Sequence, residues 1–595
     1  MKAAQRGMSL LVVLMLTAMA SLLVFSALNN ALSQERMSGN FQKKLNAELL
    51  ADKAVFESYH QLNRFVRDPA NANKTDAEMA AAAAVAATGV SGGRTFSTTA
   101  TNLTANGLSV NAAGNRYEDS LATRRALFRK VGDAGSLQRP FGHAVTGCDG
   151  VDMSGSGAIS SYDSSNPNAT ATNVTVQTVK KDAEVVLSGA APIKGDVLSR
   201  GNITLSGSAV ISGRVHANGN ILLNNASATI EKEVWARGSI EIINTPQLLL
   251  EAKAHANITI SNPATLAGGL KTKQNLTISN TPLIKPDVQV QGNINISGGA
   301  SDALARFTQP DAVRYSGTTN QPTLGQKVAL QDNQFTDVPL LPIDNPNEDS
   351  PDFNPICDPL GIGTAVLFMT KPPTYPVLNL TSDSSVFGLN TVEGKFLHPV
   401  TATDRHTPAS TRFLGNNIRS YFFTELNMKN TTLEISGDVT IFVRDKFSLD
   451  ANSKVKIMDN STLTLITTGK VIFGSDAKLQ NAHGGKPEGL VNNKPVFAIY
   501  SAFAGVSGNG SGDEAKAGID ISGAADGIYA AIYAPLTDIK ISGIGSNNYF
   551  AGAALGKKVN ISGAGLIRYD QALGTIGNGG VVKPVVPPRI VFNGW

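Results

Sequence analysis

Cysteine is almost absent, with two in 595 residues, which excludes a disulfide-dense scaffold and leaves room for one bridge. Charge is also sparse, at 16% of the chain against roughly 25% in average soluble proteins. The 51 basic and 47 acidic residues nearly cancel to +4, and no Lys/Arg run interleaved with aromatics occurs, so nucleic-acid partners are not expected. Seven histidines, His60, His143, His216, His255, His398, His406 and His483, form no metal-binding spacing, and no phosphate- or dinucleotide-binding glycine motif follows a strand. No metal, cofactor or catalytic residue is therefore expected.

What the chain has in quantity is glycine, 57 residues, with Ser, Thr and Asn around short apolar alternations. Such a composition leans towards turn-rich β structure. Its length gives a prior of about three to four modules at roughly 150 residues each.

One long apolar run stands at the start. Lys2 and Arg6 precede an uncharged stretch from Met8 to Gln34, whose apolar part ends near Leu28, long enough for one bilayer crossing of about 20 helical residues. Ala18-Met19-Ala20 is followed by more apolar residues, so ordinary signal cleavage there is not expected. Leu45, Leu49, Phe56 and Tyr59 continue near helical spacing and no Pro intervenes before Pro69. A helix over 8–68, membrane-spanning over 8–28, is the expectation.

Gln5-Arg6-Gly7 before Met8-Ser9-Leu10-Leu11, then Gln34-Glu35-Arg36-Met37-Ser38-Gly39-Asn40, resemble the N-terminus of PilX-type minor pilins over roughly residues 1–60. The resemblance implies a leader, 1–7, cut by prepilin peptidase after Gly7, N-methylation of Met8, and packing of the helix among minor and major pilins of a type IV pilus. It further implies residence in the inner membrane before assembly and an extracellular place afterwards. Major pilins carry Glu at the fifth mature position, where this chain has Val12. A carboxylate there would satisfy a neighbour's buried amino terminus, so Val12 suits a tip or initiating subunit that no neighbour docks above.

Repeats determine the expected architecture of the remainder. Gly201-Asn202-Ile203-Thr204-Leu205 recurs at Asn220, Ser239, Asn257, Asn275 and Asn293 with spacings of 18, 19, 18, 18 and 18. Five residues earlier stands a second column, Val197, Val215, Val234, Ala252, Leu270 and Val288. This period predicts a three-sided parallel β-helix rising about 4.8 Å per coil, with the Asn residues stacked at one corner, in strained turn conformations and bonded along the column. Asn-x-Ser/Thr sequons are explained by the same corners.

A second block shows alternation at Leu433/Ile435, Val439/Ile441/Val443, Phe447/Leu449, Val455/Ile457, Leu463/Leu465 and Val471/Phe473. Ile519-Asp520-Ile521-Ser522-Gly523, Ile539–Gly543 and Val559–Gly563 repeat every 20 residues, as do Tyr529, Tyr549 and Tyr569, which predicts a stacked tyrosine column. This tail also looks like a β-helical domain appended to PilX-type N-termini. The expected fold is α+β, mainly β: a long N-terminal transmembrane helix, then a short-coil parallel β-helix with an inserted irregular region. Its divisions are 69–190 mixed connection, 191–300 first block, 301–430 insertion or cap, 431–575 second block and 576–595 a Pro-rich tail leading to a small strand. The two blocks are expected to form one continuous solenoid with 301–430 looped out.

Gly89-Val90-Ser91-Gly92-Gly93 fits the G-x-S-x-G pattern but follows an Ala-rich run, not a strand, so it reads as a helix-ending loop. Asp438, Asp445, Asp520, Asp526 and Asp538 are the carboxylates a β-helical hydrolase or lyase would use, yet scattered turn positions explain them. Cys148 and Cys357 are expected to form one bridge, closing a loop of about 209 residues worth roughly 4–5 kcal/mol in chain entropy. The functional expectation is a non-enzymatic pilin-like subunit displaying a β-helix near a pilus tip, with a surface or carbohydrate receptor as a further partner. The alternative is a membrane-tethered β-helical carbohydrate-active or carbohydrate-binding protein. A bactofilin-like polymer shares the coil, but those form in the cytoplasm and the leader argues for export.

Overall fold

The computed structural model describes residues 4–67, 89–131, 140–576 and 589–594, with internal breaks chiefly within 301–311, 321–336, 348–354, 382–406 and 506–516. The chain divides into two units, residues 1–136 with 585–595, and residues 137–584.

The first unit is built on α1 (Ala4–Arg67), one unbroken helix of 64 residues, which ends just before the helix-terminating Pro69. Its sheet is antiparallel throughout, with β1 (Gly89–Ser91), β2 (Arg94–Thr104), β3 (Gly107–Asn115) and β4 (Leu121–Val131) in sequence order. The strand Arg589–Gly594 completes the sheet beside β4. The whole solenoid is thus inserted, in sequence, between two neighbouring strands of this sheet. Ser91 lies in edge strand β1, so Gly89–Ser91 is a strand and not the expected helix-ending loop; Gly92 and Gly93 lie outside the described residues. The run Ala80–Ala87 does so too.

The second half of α1 packs through Ala47, Leu50, Ala51, Ala54, Val55 and Leu62, all buried. Their spacing of three and four is one helical stripe, and its small side chains let the helix approach closely. Leu45, Leu49 and Phe56, the residues that mark helical spacing in the sequence, are exposed on other faces. Arg124 of β4 reaches Asp52 at 3.1 Å and Glu48 at 3.4 Å, one turn apart on α1.

The second unit is a parallel β-solenoid. Ile203, Ile221, Ile240, Ile258, Leu276 and Ile294 stack in register and are buried. Two residues on, Leu205, Leu223, Ile242, Ile260, Ile278 and Ile296 do the same. Val197, Val215, Val234, Ala252, Leu270 and Val288 line a second side. Two-residue strands centred on Ile211, Ile230, Leu248, Leu266 and Ile284 form the third. Apolar residues alternate inward because strand side chains have period 2. The alternation in the second block holds equally: every residue from Leu433 to Phe473 that it marks is buried.

The order of coils departs from expectation. The chain enters the solenoid in its middle, at β5 (Val145–Met153) and β6 (Ile159–Tyr162), inside the region expected to be a connection. From there coils build in one direction to strands Val313–Tyr315 and Gln326–Lys327. After crossing back, it starts again at Val377–Leu380 and Asn416–Lys429 and winds inward. The last coil, Tyr549–Ile561 and Leu566–Asp570, pairs in parallel with β5 and β6. One continuous solenoid results, but the junction is between 549–570 and 145–162, not between 298 and 431, and parts of 301–430 are coil. At the outer end of the second stack two antiparallel hairpins, Ala409–Phe413 with Asn416–Lys429 and Val386–Asn390 with Lys395–Leu397, turn the chain where a bare parallel edge would otherwise begin.

Tyr529, Tyr549 and Tyr569 do not form a column. Tyr529 aligns with Ala551, Tyr549 with Leu566, and Tyr569 with Gly552. Corner lengths differ between coils, so an equal spacing of 20 slips out of register. The aligned tyrosines are Tyr500 and Tyr533, whose ring centroids are 6.0 Å apart.

Candidate functional site

Three regions place side chains where chemistry or recognition is possible. The first is the apolar half of α1. Its residues from Leu10 to Leu32 are exposed, including Val12, and one 18-residue window is apolar enough to cross a membrane with none of it buried. Gly7 and Met8 fall in the first two turns of this helix. A helix whose first half is apolar and uncovered, while its second half packs on a sheet, has to bury that half in lipid or against other helices.

The second region is the corner ladder. Asn202 Oδ1 accepts the backbone N–H of Asn220 at 2.8 Å, Asn220 that of Ser239 at 2.8 Å, Asn257 that of Asn275 at 3.1 Å, and Asn275 that of Asn293 at 2.9 Å. These asparagines therefore bond along the column as expected. The strained turns are elsewhere, since the left-handed residues include Asn244 and Asn280 at another corner and none of the ladder.

The third region is where chain segments distant in sequence meet. Cys148 in β5 and Cys357 are bridged, with Cα atoms 5.4 Å apart. Around Cys357, Tyr533 donates its hydroxyl to Asp358 at 2.5 Å and accepts the Leu360 N–H at 3.1 Å. Burial raises the Asp358 carboxyl above its usual range, and burial beside that carboxyl raises the Tyr533 phenol. Residues 356–362 thereby hold the second stack by hydrogen bonds and the first stack by a covalent bond.

Upstream of Cys357 the chain recrosses the first stack as a strap. Lys273 pairs with Asp337, and Val338 N–H donates to His255 Nε2 at 2.9 Å. Arg237 donates to Val338 O at 3.3 Å, His216 Nε2 to Pro339 O at 2.9 Å, and Asn218 exchanges two bonds with Leu341 at 2.8 and 3.0 Å. Arg200 Nε donates to Pro342 O at 2.8 Å and Asp344 N–H to Val179 O at 2.8 Å. Seven residues of extended chain cover roughly 23 Å and five coil rises roughly 24 Å, so the strap runs along the solenoid axis. Its backbone is satisfied by side chains from successive coils. Burial lowers the Arg200 guanidinium to about 10 and the His216 imidazole to about 4.

The remaining sequence candidates do not converge. Asp438 bonds Thr462 and Lys494, Asp445 pairs with Arg444, and Asp520 is buried in register with Lys540. Asp538 is half-buried with its carboxyl raised, chiefly by that burial. Asp526, His398 and His406 lie outside the described residues. His483 is exposed beside Asp459 at 3.3 Å. Among the described residues no group of three or more His, Cys, Asp or Glu could hold a metal. The strap and its two histidines escaped sequence reasoning, because His216 and His255 stand two coils apart and nothing in the repeat marks what covers them.

Residues 403–576 match the family model of a domain of unknown function, DUF7305. No curated protein and no solved structure matches the chain. The matched segment spans the second stack from its hairpin cap to the short helix Gln571–Thr575. Its final strands pair with β5 and β6, which lie outside the match.

Proposed function

We propose that this protein is a non-enzymatic, pilin-like subunit of a type IV pilus, acting at low copy number as a tip or initiating subunit and displaying its β-solenoid outside the cell. The observation carrying this reading is the two-part helix: an uncovered apolar half from Leu10 to Leu32, then a half whose small-residue stripe packs on an antiparallel sheet. Such a helix serves first as a membrane anchor and then, among like helices, as the axial element of a filament. Exposed Leu45, Leu49 and Phe56 extend the surface available to neighbouring helices. The N-terminal resemblance supplies the leader, with cleavage after Gly7 and methylation of Met8.

The solenoid unit, more than 400 residues, supports low copy number, since helices pack about 8–10 Å apart and cannot each carry such a mass. Val12, in place of a carboxylate, supports a position that no subunit docks above. Pilins, prepilin peptidase and the inner membrane are the partners this reading requires, and the solenoid is available to a surface or carbohydrate receptor.

Mass spectrometry of protein recovered from sheared pili tests processing and location together. An N-terminus at methylated Met8, at far below the amount of the major pilin, is the expected result. Near-equal stoichiometry would overturn the tip assignment. Absence from filaments, with normal piliation in a deletion strain, would favour a membrane-tethered carbohydrate-active enzyme or carbohydrate-binding protein instead.

A further inference from the structure

We propose that residues 337–344 are an acid-released clasp, in which His255 holds the strap only while its ring is uncharged and Cys357 keeps the strap tethered after release. The two rings act through opposite faces of acid–base chemistry. His255 Nε2 accepts the Val338 N–H, so that nitrogen must carry a lone pair. His216 Nε2 faces the carbonyl of Pro339, which only accepts, so that nitrogen carries a proton and donates it whether the ring is neutral or charged; His216 anchors the strap without releasing it.

Protonating His255 removes the acceptor of the Val338 N–H, and Val338 is fully buried. An orphaned buried donor loses its bond without regaining water. The coils surround both rings with cations, while the strap's own Asp337 and Pro339 carbonyl favour charged rings. His216 is surrounded by Arg200, Arg214 and Arg237, and His255 by Lys253, Lys273 and Arg237. Asp337 is the strap's carboxylate here, 3.5 Å from His255 Nε2 and also paired with Lys273. A charged His255 would join five cations, of which Arg214 is paired with Glu233, Lys253 with Glu251 and Lys273 with Asp337.

Burial, the largest cause, and these cations lower both imidazoles, His216 to about 4. With the strap seated the rings bind protons less readily than the ordinary value of about 6.5. As pH falls from 6.5 towards 4 the released state therefore gains protons that the clasped state refuses, and the equilibrium moves towards release. Main-chain contacts to Arg200, Arg237 and Asn218 lie on the same strip and are lost with the strap, baring a basic stripe on the first stack. The disulfide to Cys148 keeps the strap tethered at Cys357.

Hydrogen exchange of the oxidised full-length protein, corrected for intrinsic rates and followed from pH 7.5 to 4.5, tests the clasp. Amides of Val338, Leu341 and Asp344 should lose at least tenfold protection below pH 6, while those of Ile258–Ser261 in the coil keep theirs. The H255Q variant keeps an acceptor for the Val338 N–H but cannot titrate, and should stay protected throughout. Unchanged protection in the wild type at pH 4.5, or release of the variant at the wild-type pH, would overturn the proposal. If H255Q loses coil protection and is thus misfolded, H216Q decides: release at the wild-type pH supports a clasp governed by His255, and protection throughout overturns it.

Discussion

Ser164, just past the first coil, donates its hydroxyl to Asp570 Oδ2 at 2.6 Å and its N–H to Asp570 Oδ1 at 3.1 Å, joining residues 406 apart in sequence. Tyr529 and the Ala572 N–H also donate to this fully buried carboxylate. The seam between the chain's two stacks is thus closed by one acidic side chain from the last coil. Tyr569 reinforces it by donating to Phe141 O at 2.9 Å.

Replacing Asp570 by Ala should therefore cost about 3–5 kcal/mol, since several buried donors lose their charged acceptor together. Chemical denaturation should show the loss, and Asp570→Asn should recover part of it by keeping an acceptor oxygen. An Asp570→Ala protein as stable as the wild type would mean the seam is held by strand pairing alone.

Reducing the Cys148–Cys357 bridge should lower stability by roughly 5 kcal/mol on chain-entropy grounds for so long a loop. Because residues 356–362 clasp both stacks, proteolysis of the reduced form should cut first near the strap, leaving both stacks protected. Thermal unfolding with and without reductant, beside C148S/C357S, gives the comparison.

Ile258 points inward and is fully buried, whereas its neighbour Thr259 is half-buried on the outer side. Ile258→Asp should cost several kcal/mol through an unpaired buried charge, about 3 or more, while Thr259→Asp should stay within roughly 0.5 kcal/mol. Equal shifts in melting temperature would show that the register is wrong.

A Cβ on Gly219 would lie 2.5 Å from Asn202 Oδ1 and 2.8 Å from the backbone of Gly201. In later coils Ala256 stands in the equivalent place above Ser239 and Gln274 above Asn257, where the Asn275 N–H to Asn257 Oδ1 bond is longer, at 3.1 Å, than the 2.8 Å at Asn202. Gly219→Ala should cost about 1–3 kcal/mol by forcing this contact, and Asn202→Ser should restore part of it. Strict additivity in the double-mutant cycle would refute the steric coupling.

The coil period, the inward alternation and the long helix were all legible in residue order, because each depends on neighbours within about twenty positions. Ile203, Ile221 and their successors announce both the strand and the side that is buried. Tyr529, Tyr549 and Tyr569 misled, since an equal spacing in sequence ignores corners of unequal length. The place of Cys148 in a coil, the meeting of Asp570 with Ser164, and the strap over His216 and His255 were decided by tertiary structure. Every parallel coil offers nearly the same backbone edge to the next, so periodicity cannot say which two edges join. Non-repeating side chains make that choice: a buried carboxylate, a cysteine pair and a line of corner donors, brought together only once the chain has wound outward, crossed back and wound in again.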